Sequence, residues 1–204
     1  MPRQRTECDA FTVFKKNIIR ARAFLRLFDE TGGPGQPSND RKELLRGTVV
    51  FSIGALDAFL NDLVLELVPR FGPISEDLSE GLKSIAKEDP TLALRIALAP
   101  DEASRRKQFS EALERWLTTK TFHGPQAVIK AAGYVGCSVN WDLLNADTGL
   151  DVPQELRKFT DMRHEIVHRG ARPYVRRHHA QTCVDIVGAI TKSLNSEAVQ
   201  HYST

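Results

Sequence analysis

The chain has 204 residues, of which 41% are hydrophobic. This length and composition suit a folded core and exclude the class of disordered proteins. Three cysteines that lie far apart argue against a disulfide framework and against a cysteine-built metal site, and we expect buried thiols at Cys8, Cys137 and Cys183. The first residues lack the apolar run of a signal peptide, and no segment reaches the roughly 18 uncharged apolar residues of a membrane span. We therefore expect a cytoplasmic protein without a membrane partner.

A first helix is predicted over residues 9–29, with Asp9 as a candidate cap. Its hydrophobic residues recur every three or four positions, as on one face of a helix. They are Phe11, Phe14, Ile18, Ala21, Leu25 and Phe28. Residues 31–40 are rich in Gly, Pro and Ser, which predicts a loop.

A long second helix is predicted over residues 40–68. Asn39 or Asp40 is its candidate cap, and Pro69 is expected to end it. Its middle is apolar on nearly every side, which indicates burial all round. We expect this helix to be central in the fold or to lie at a contact between subunits.

Residues 70–150 are less regular and are predicted to be a helical insertion in a single all-α domain that spans residues 1–204. Prolines and glycines divide the insertion into short segments. Helices are predicted over 74–87, 91–99, 102–117 and 126–133. The core of the domain is then formed by residues 9–68 and 150–197.

Two more helices are predicted towards the end of the chain. The first covers residues 152–168, with Asp151 as its N-cap and Gly170 as its C-cap. The second follows Pro173 and runs to about Asn195. Strand signals are nearly absent, so the predicted fold class is an all-α bundle of up-and-down helices.

Positive charge is concentrated near the end of the chain. Between Arg163 and His179 lie five arginines and four histidines against one acid, Glu165, which gives +4 with neutral histidines. Because the net charge is +2, the other residues carry −2. A local basic patch on a nearly neutral protein favours an anionic ligand.

Within this patch, Arg163 falls on the apolar stripe of the helix over 152–168, four residues after Phe159. A guanidinium on an apolar face needs a carboxylate, a phosphate or other polar partners. Asp57 is one candidate partner. His164 and His168 lie one turn apart on the flank of the same helix. A purely structural alternative is an arginine that reaches solvent beside two surface histidines.

The segment His164-Glu165-Ile166-Val167-His168 also matches the H-E-x-x-H pattern of zinc hydrolases. Arginines flank the pattern, and positive charge opposes a dication. Ala171 and Tyr174 stand where one zinc-protease extension has glycine and histidine, and Glu197 is the single downstream glutamate. We keep a zinc hydrolase as a less favoured alternative and expect no metal.

Arg163 and His168 form an R-x4-H pattern with a polar residue, His164, after the arginine. In this pattern the chain resembles the HEPN superfamily. The apolar segment over residues 46–64 resembles the second helix of its RiboL-PSP type. The resemblance covers residues 9–68 and 150–197. Family members silenced by AMP transfer carry tyrosine where this chain has Gly170, so that control is not expected here.

The resemblance implies a metal-independent endoribonuclease without cofactors, which cleaves single-stranded RNA and leaves a 2′,3′-cyclic phosphate. It implies a homodimer with both Arg/His pairs in one cleft. Arg163 would hold the phosphate, His168 would transfer protons and His164 would orient or contact the phosphate. RNA-binding residues would be Arg169, Arg172, Arg176 and Arg177. It points to toxin–antitoxin or antiphage systems with a neutralising partner protein. The alternative is a non-catalytic HEPN module that binds RNA, a nucleotide or a protein.

Overall fold

A computed structural model describes residues 7–33, 36–71 and 76–202 of the chain. These residues form nine helices and no strand, which confirms the predicted all-α class. The helices are α1 (Asp9–Glu30), α2 (Asn39–Phe71), α3 (Glu76–Glu88), α4 (Leu92–Ala97), α5 (Glu102–Leu117), α6 (Pro125–Tyr134), α7 (Trp141–Thr148), α8 (Val152–Arg169) and α9 (Arg177–Tyr202).

Helix α2 is the centre of the bundle. It packs against α1, α9, α8, α5 and α6, while α1 and α9 also pack against each other. The apolar positions that point to α1, α8 and α9 are almost fully buried, among them Val49, Ile53 and Leu56. The predicted central position of this helix is therefore confirmed. The burial follows from a sequence that is apolar around most of its circumference.

Among the described residues, α2 is also the one helix long and apolar enough to cross a membrane. More than half of its most apolar window is buried inside the protein. The central helix of a bundle and a membrane span have similar length and composition, because both must be apolar on all sides.

Several predicted helix limits need correction. Pro69 lies inside α2, which continues to Phe71; a proline so close to the end disturbs only the last turn. Helix α1 begins at Asp9 itself, so its cap position belongs to Cys8. Ser38 caps α2, since its Oγ accepts the backbone N–H of Arg41 at 3.3 Å. The predicted start of the third helix at residue 74 lies outside the described residues.

Helix α7 was not predicted, although both of its ends carry capping residues. The side chain of Asn140 accepts the backbone N–H of Leu143, and Gly149 ends the helix with a positive φ of 69°. Helix α9 also begins later than predicted, at Arg177, and it extends to Tyr202. As a result, Val175 is buried in the connection that precedes α9.

The region over residues 76–148 shares the hydrophobic core with the long helices. Its helices α5 and α6 pack on α2, and α6 also packs on α8. Trp116 is buried in this region and approaches Gly81 of α3 so closely that a Cβ at Gly81 would overlap the indole ring. All three cysteines are buried, as predicted.

Candidate functional site

Helix α8 carries the R-x4-H motif and is fixed at both ends. Asp151 Oδ1 accepts the backbone N–H of Gln154 at 3.0 Å, which caps the start of the helix. Gly170 ends the helix with a φ of 61°, a left-handed conformation that favours glycine. Both predicted caps are therefore confirmed. Leu156 and Phe159 are buried against the bundle, so Arg163, one turn further on, also faces α2.

The guanidinium of Arg163 lies in a cavity between α1, α2 and α8. The cavity has a volume of about 330 Å³ and is lined by Asn17, Arg20, Val50, Phe51, Gly54, Ala55, Ala58 and Arg163. The Nε of Arg163 is buried and has no hydrogen-bond partner among the described residues. A buried N–H without a partner costs free energy, so Arg163 is less well satisfied than a buried structural arginine.

The candidate partner Asp57 does not pair with Arg163. The described residues contain no ion pair between Asp57 and Arg163, because Asp57 Oδ1 instead accepts the backbone N–H of Phe122 at 2.6 Å. Side chains of small volume line the α2 wall of the cavity, namely Gly54, Ala55 and Ala58. Arg163 therefore lies beside an apolar wall and the second cation, Arg20.

His164 and His168 lie side by side on the exposed flank of α8. Their ring centroids are 4.8 Å apart and the ring planes are inclined by 43°. Both side chains are exposed, so a ligand can reach them. The buried part of the apolar stripe of α8 ends before Val167. This residue is 46% exposed, although helical periodicity places it on the stripe.

A third histidine, His123, joins this group and was not predicted. It lies in the connection over residues 118–124 between α5 and α6. Thr160 of α8 donates its hydroxyl to the backbone oxygen of His123 at 2.6 Å. Burial lowers the pKa of His123, and the neighbouring charges of Arg163, His164 and His168 lower it further, whereas Asp57 raises it. Three of these four groups belong to the motif on α8, and the fourth, Asp57, belongs to α2.

The sequence gives little signal for His123. A single histidine in an irregular segment has no periodicity and belongs to no motif. The position of His123 depends on two long-range hydrogen bonds. Asp57 binds the neighbouring Phe122 across 65 positions, and Thr160 binds His123 across 37 positions.

Three of the four arginines predicted to bind RNA are engaged in ion pairs. Arg169 pairs with Glu165 at 2.8 Å, Arg172 with Glu43 at 3.5 Å and Arg177 with Asp29 at 2.9 Å. The pair with Arg177 lowers the pKa of Asp29 through a side-chain hydrogen bond.

The fourth arginine, Arg176, lies over the exposed ring of Tyr174, at 5.7 Å from Cζ to the ring centroid. It follows that Arg176 is the most available of the four predicted arginines, with an aromatic ring beside it on which a base could stack.

Arg46, at the start of the segment that resembles a HEPN helix, has a structural role. Its side chain is buried and donates to the backbone oxygens of Pro173 (2.9 Å) and Arg172 (3.1 Å) and to Glu43 (2.8 Å). These bonds hold the α8–α9 connection against α2. They therefore fix the backbone that carries Arg172 and leads to Arg176.

The residues of the H-E-x-x-H alternative are arranged in a way that does not suit zinc. Glu165 is paired with Arg169. Glu197 accepts the backbone N–H and the hydroxyl of Ser138, at 2.8 and 3.0 Å. Within the described ranges, no group of three or more His, Cys, Asp or Glu side chains could hold a metal ion.

In comparisons with known proteins, no family model, no curated protein and no solved structure matches this chain. The HEPN resemblance therefore rests on the motif and on the order of the helices alone, and it stays a prediction. Chemically, the site combines one guanidinium without a full set of partners with three imidazoles. Such a site can bind a phosphate group and transfer protons near neutral pH.

Proposed function

We propose that this chain is a HEPN-like endoribonuclease that cleaves single-stranded RNA without a metal ion or other cofactor. In this proposal the long helices form the HEPN-like core, and residues 70–150 are a helical insertion. Arg163 holds the scissile phosphate and His168 transfers protons. His164, whose ring lies 4.8 Å from that of His168, orients or contacts the phosphate.

The observation that carries the proposal is the buried Nε of Arg163, on the same helix as His164 and His168. This nitrogen has no acceptor among the described residues. Phosphate oxygens are strong acceptors for arginine and would supply the missing bond. During cleavage the non-bridging oxygens of the phosphate gain negative charge, so a guanidinium held at this place would stabilise the transition state more than the ground state.

The predicted homodimer would use the face of the molecule that contains this cavity. Phe51 is 40% exposed and Val167 is 46% exposed at this face, so it offers apolar area beside the site. A Cβ at Gly54 would meet nothing within 4 Å, which leaves room for a side chain of a second copy. A two-fold contact here would bring two Arg/His pairs into one cleft. A cytoplasmic location and a neutralising partner protein, as in toxin–antitoxin or antiphage systems, belong to the same proposal.

The test is cleavage of a labelled single-stranded RNA in EDTA by the purified protein. We expect products that end in a 2′,3′-cyclic phosphate. His168→Ala should lower the rate by roughly 10²–10⁴-fold, the usual contribution of a general acid or base. The matched control is His201→Ala, since His201 is exposed near the end of α9, away from the motif. Full activity of a folded His168→Ala variant would refute the proposed role.

A second candidate function is a non-catalytic HEPN module that binds a nucleotide. The ion pairs of Arg169, Arg172 and Arg177 favour it, because they leave little free cationic surface for a long RNA. A cavity of about 330 Å³ beside Arg163 is also closer to the size of a small ligand. Binding of ATP or AMP that is lost in Arg163→Met, with no RNA product at any protein concentration, would favour this candidate.

A further inference from the structure

The α5–α6 connection is attached to the site from two sides. On one side, Asp57 of α2 accepts the backbone N–H of Phe122 at 2.6 Å. On the other, Thr160 of α8 donates to the backbone oxygen of His123 at 2.6 Å. The ring of Phe122 is 2% exposed and meets Tyr134 edge-on at 6.0 Å. The backbone at His123 is therefore held by α2, by α8 and by the buried side chain of Phe122.

The backbone of His123 lies beside the motif, because Thr160, which binds it, precedes Arg163 by three residues and His164 by four on α8. The charged or titratable groups that act on the pKa of His123 are Asp57 of α2 and Arg163, His164 and His168 of α8. His123 is half-buried, and no motif of the sequence accounts for it. The region predicted as an insertion thus places a titratable side chain beside the R-x4-H motif. A histidine enclosed by three cationic or titratable neighbours is kept neutral more easily than an exposed one.

We infer that His123 is a catalytic residue of this site and acts as the general base, with His168 as the general acid. This inference rests on the proposed ribonuclease function and adds a residue that the R-x4-H motif does not contain. The neutral form suits a base, and burial together with Arg163 lowers the pKa of His123. His168 lies in the last turn of α8 and is exposed, so a leaving group can approach it.

The two histidines have complementary tasks in the transesterification. His123 takes the proton of the ribose 2′-hydroxyl, and the 2′-oxygen forms a bond to phosphorus. The bond between phosphorus and the 5′-oxygen breaks, and His168 gives its proton to that leaving oxygen. The products are a 2′,3′-cyclic phosphate and a 5′-hydroxyl. No water is consumed, and the two histidines end with exchanged protonation states that solvent restores.

Asp57 is less suited to be the base, although it is the nearest carboxylate. One of its oxygens already accepts the backbone N–H of Phe122, which ties this carboxylate to the α5–α6 connection. Asp57 is thus a positioning residue, which fixes the connection and adjusts the charge around His123. A single chain then holds both the acid and the base, so the second copy in a dimer is not needed for proton transfer.

The experiment compares His123→Ala and His123→Gln with His201→Ala in the cleavage assay and in RNA-binding measurements. We expect kcat to fall by roughly 10²–10⁴-fold in both His123 variants. Affinity for a non-cleavable RNA with 2′-O-methyl groups should stay close to that of the natural protein. Added imidazole should restore part of the activity of His123→Ala, an effect that a merely structural role would not produce. The His201→Ala control should cleave normally.

Asp57→Asn provides a second readout that does not remove the histidine. Asparagine can still accept the backbone N–H of Phe122, but it lacks the negative charge that raises the pKa of His123. The acidic limb of the pH profile of kcat/KM should therefore move to lower pH. An unchanged acidic limb, or His123 variants with normal kcat in a protein that cleaves RNA, would overturn the inference and leave the proposed function intact. If the natural protein cleaves no RNA, the proposed function fails, and this inference fails with it.

Discussion

Arg46 and Arg163 both leave a helix towards the bundle, but their surroundings differ. Arg46 is 6% exposed, and its guanidinium donates to two backbone oxygens and to Glu43. Arg163 has a buried Nε without a partner and borders a cavity. The fold supplies acceptors for the guanidinium of Arg46 and leaves the Nε of Arg163 without one. An arginine on an apolar face is therefore a candidate site residue only where the fold leaves one of its hydrogen-bond donors without an acceptor.

The largest expected difference between the two arginines is in catalysis. Arg163→Lys keeps the charge but loses the planar pair of donors that fits a phosphate, and removal of one such donor typically lowers kcat by roughly 10²–10³-fold. Arg46→Lys should leave the kcat of the folded protein unchanged. The measurement is single-turnover cleavage of RNA by both variants. An equal loss in both would abolish the distinction between a site arginine and a structural one.

In stability the order should reverse. Arg46→Met removes a buried guanidinium with three hydrogen-bond acceptors, so we expect the free energy of unfolding to fall by about 3 kcal/mol. Arg163→Met removes an unsatisfied polar group from an apolar stripe, so we expect no loss or a gain of about 1 kcal/mol. Urea denaturation monitored by circular dichroism measures both values. A large loss in Arg163→Met would mean that its guanidinium has partners within the protein.

A smaller effect is expected from pH. His123 has a pKa below the ordinary value of 6.5 in the folded protein, so the unfolded chain binds its proton more readily. The free energy of unfolding should therefore fall as the pH is lowered through 6.5, and this fall should level off below the folded pKa. The check is urea denaturation above and below pH 6.5. In His123→Gln, the free energy of unfolding should depend less on pH than in the natural protein. An equal dependence in both would mean that folding does not change the pKa of His123.

Helices whose limits are marked by local residues could be predicted well. The limits of α5 agree with the prediction, since Asp101 caps the helix and accepts the backbone N–H of Ser104. The caps Asp151 and Gly170 of α8 were predicted for the same reason. The end of α2 was predicted too early at Pro69, because a proline near the end of a helix disturbs little. α7 was missed although Asn140 and Gly149 mark its ends, since its eight residues are too short for a clear period.

The candidate site could be predicted only where it lies on one helix. Arg163, His164 and His168 share α8, so their relative positions follow from helical geometry. His123 reaches the site through tertiary contacts, which no local pattern contains. The partner of Asp57 could not be decided from the sequence for the same reason. The choice between Arg163 and the backbone of Phe122 depends on where an irregular segment lies.

The bonds of Arg46 also set an order of assembly. Helices α1 and α2 are neighbours along the chain and pack together extensively, so their hairpin requires only a short loop to close. Arg46 meets the backbone of Arg172 across 126 positions, and loop closure over such a separation is slow and comes late. On a ribosome, the hairpin can therefore form long before α8 has emerged. Arg163, His164 and His168 then reach their places in the bundle only in a chain whose last helices have been synthesised, so premature termination yields a protein without the proposed site.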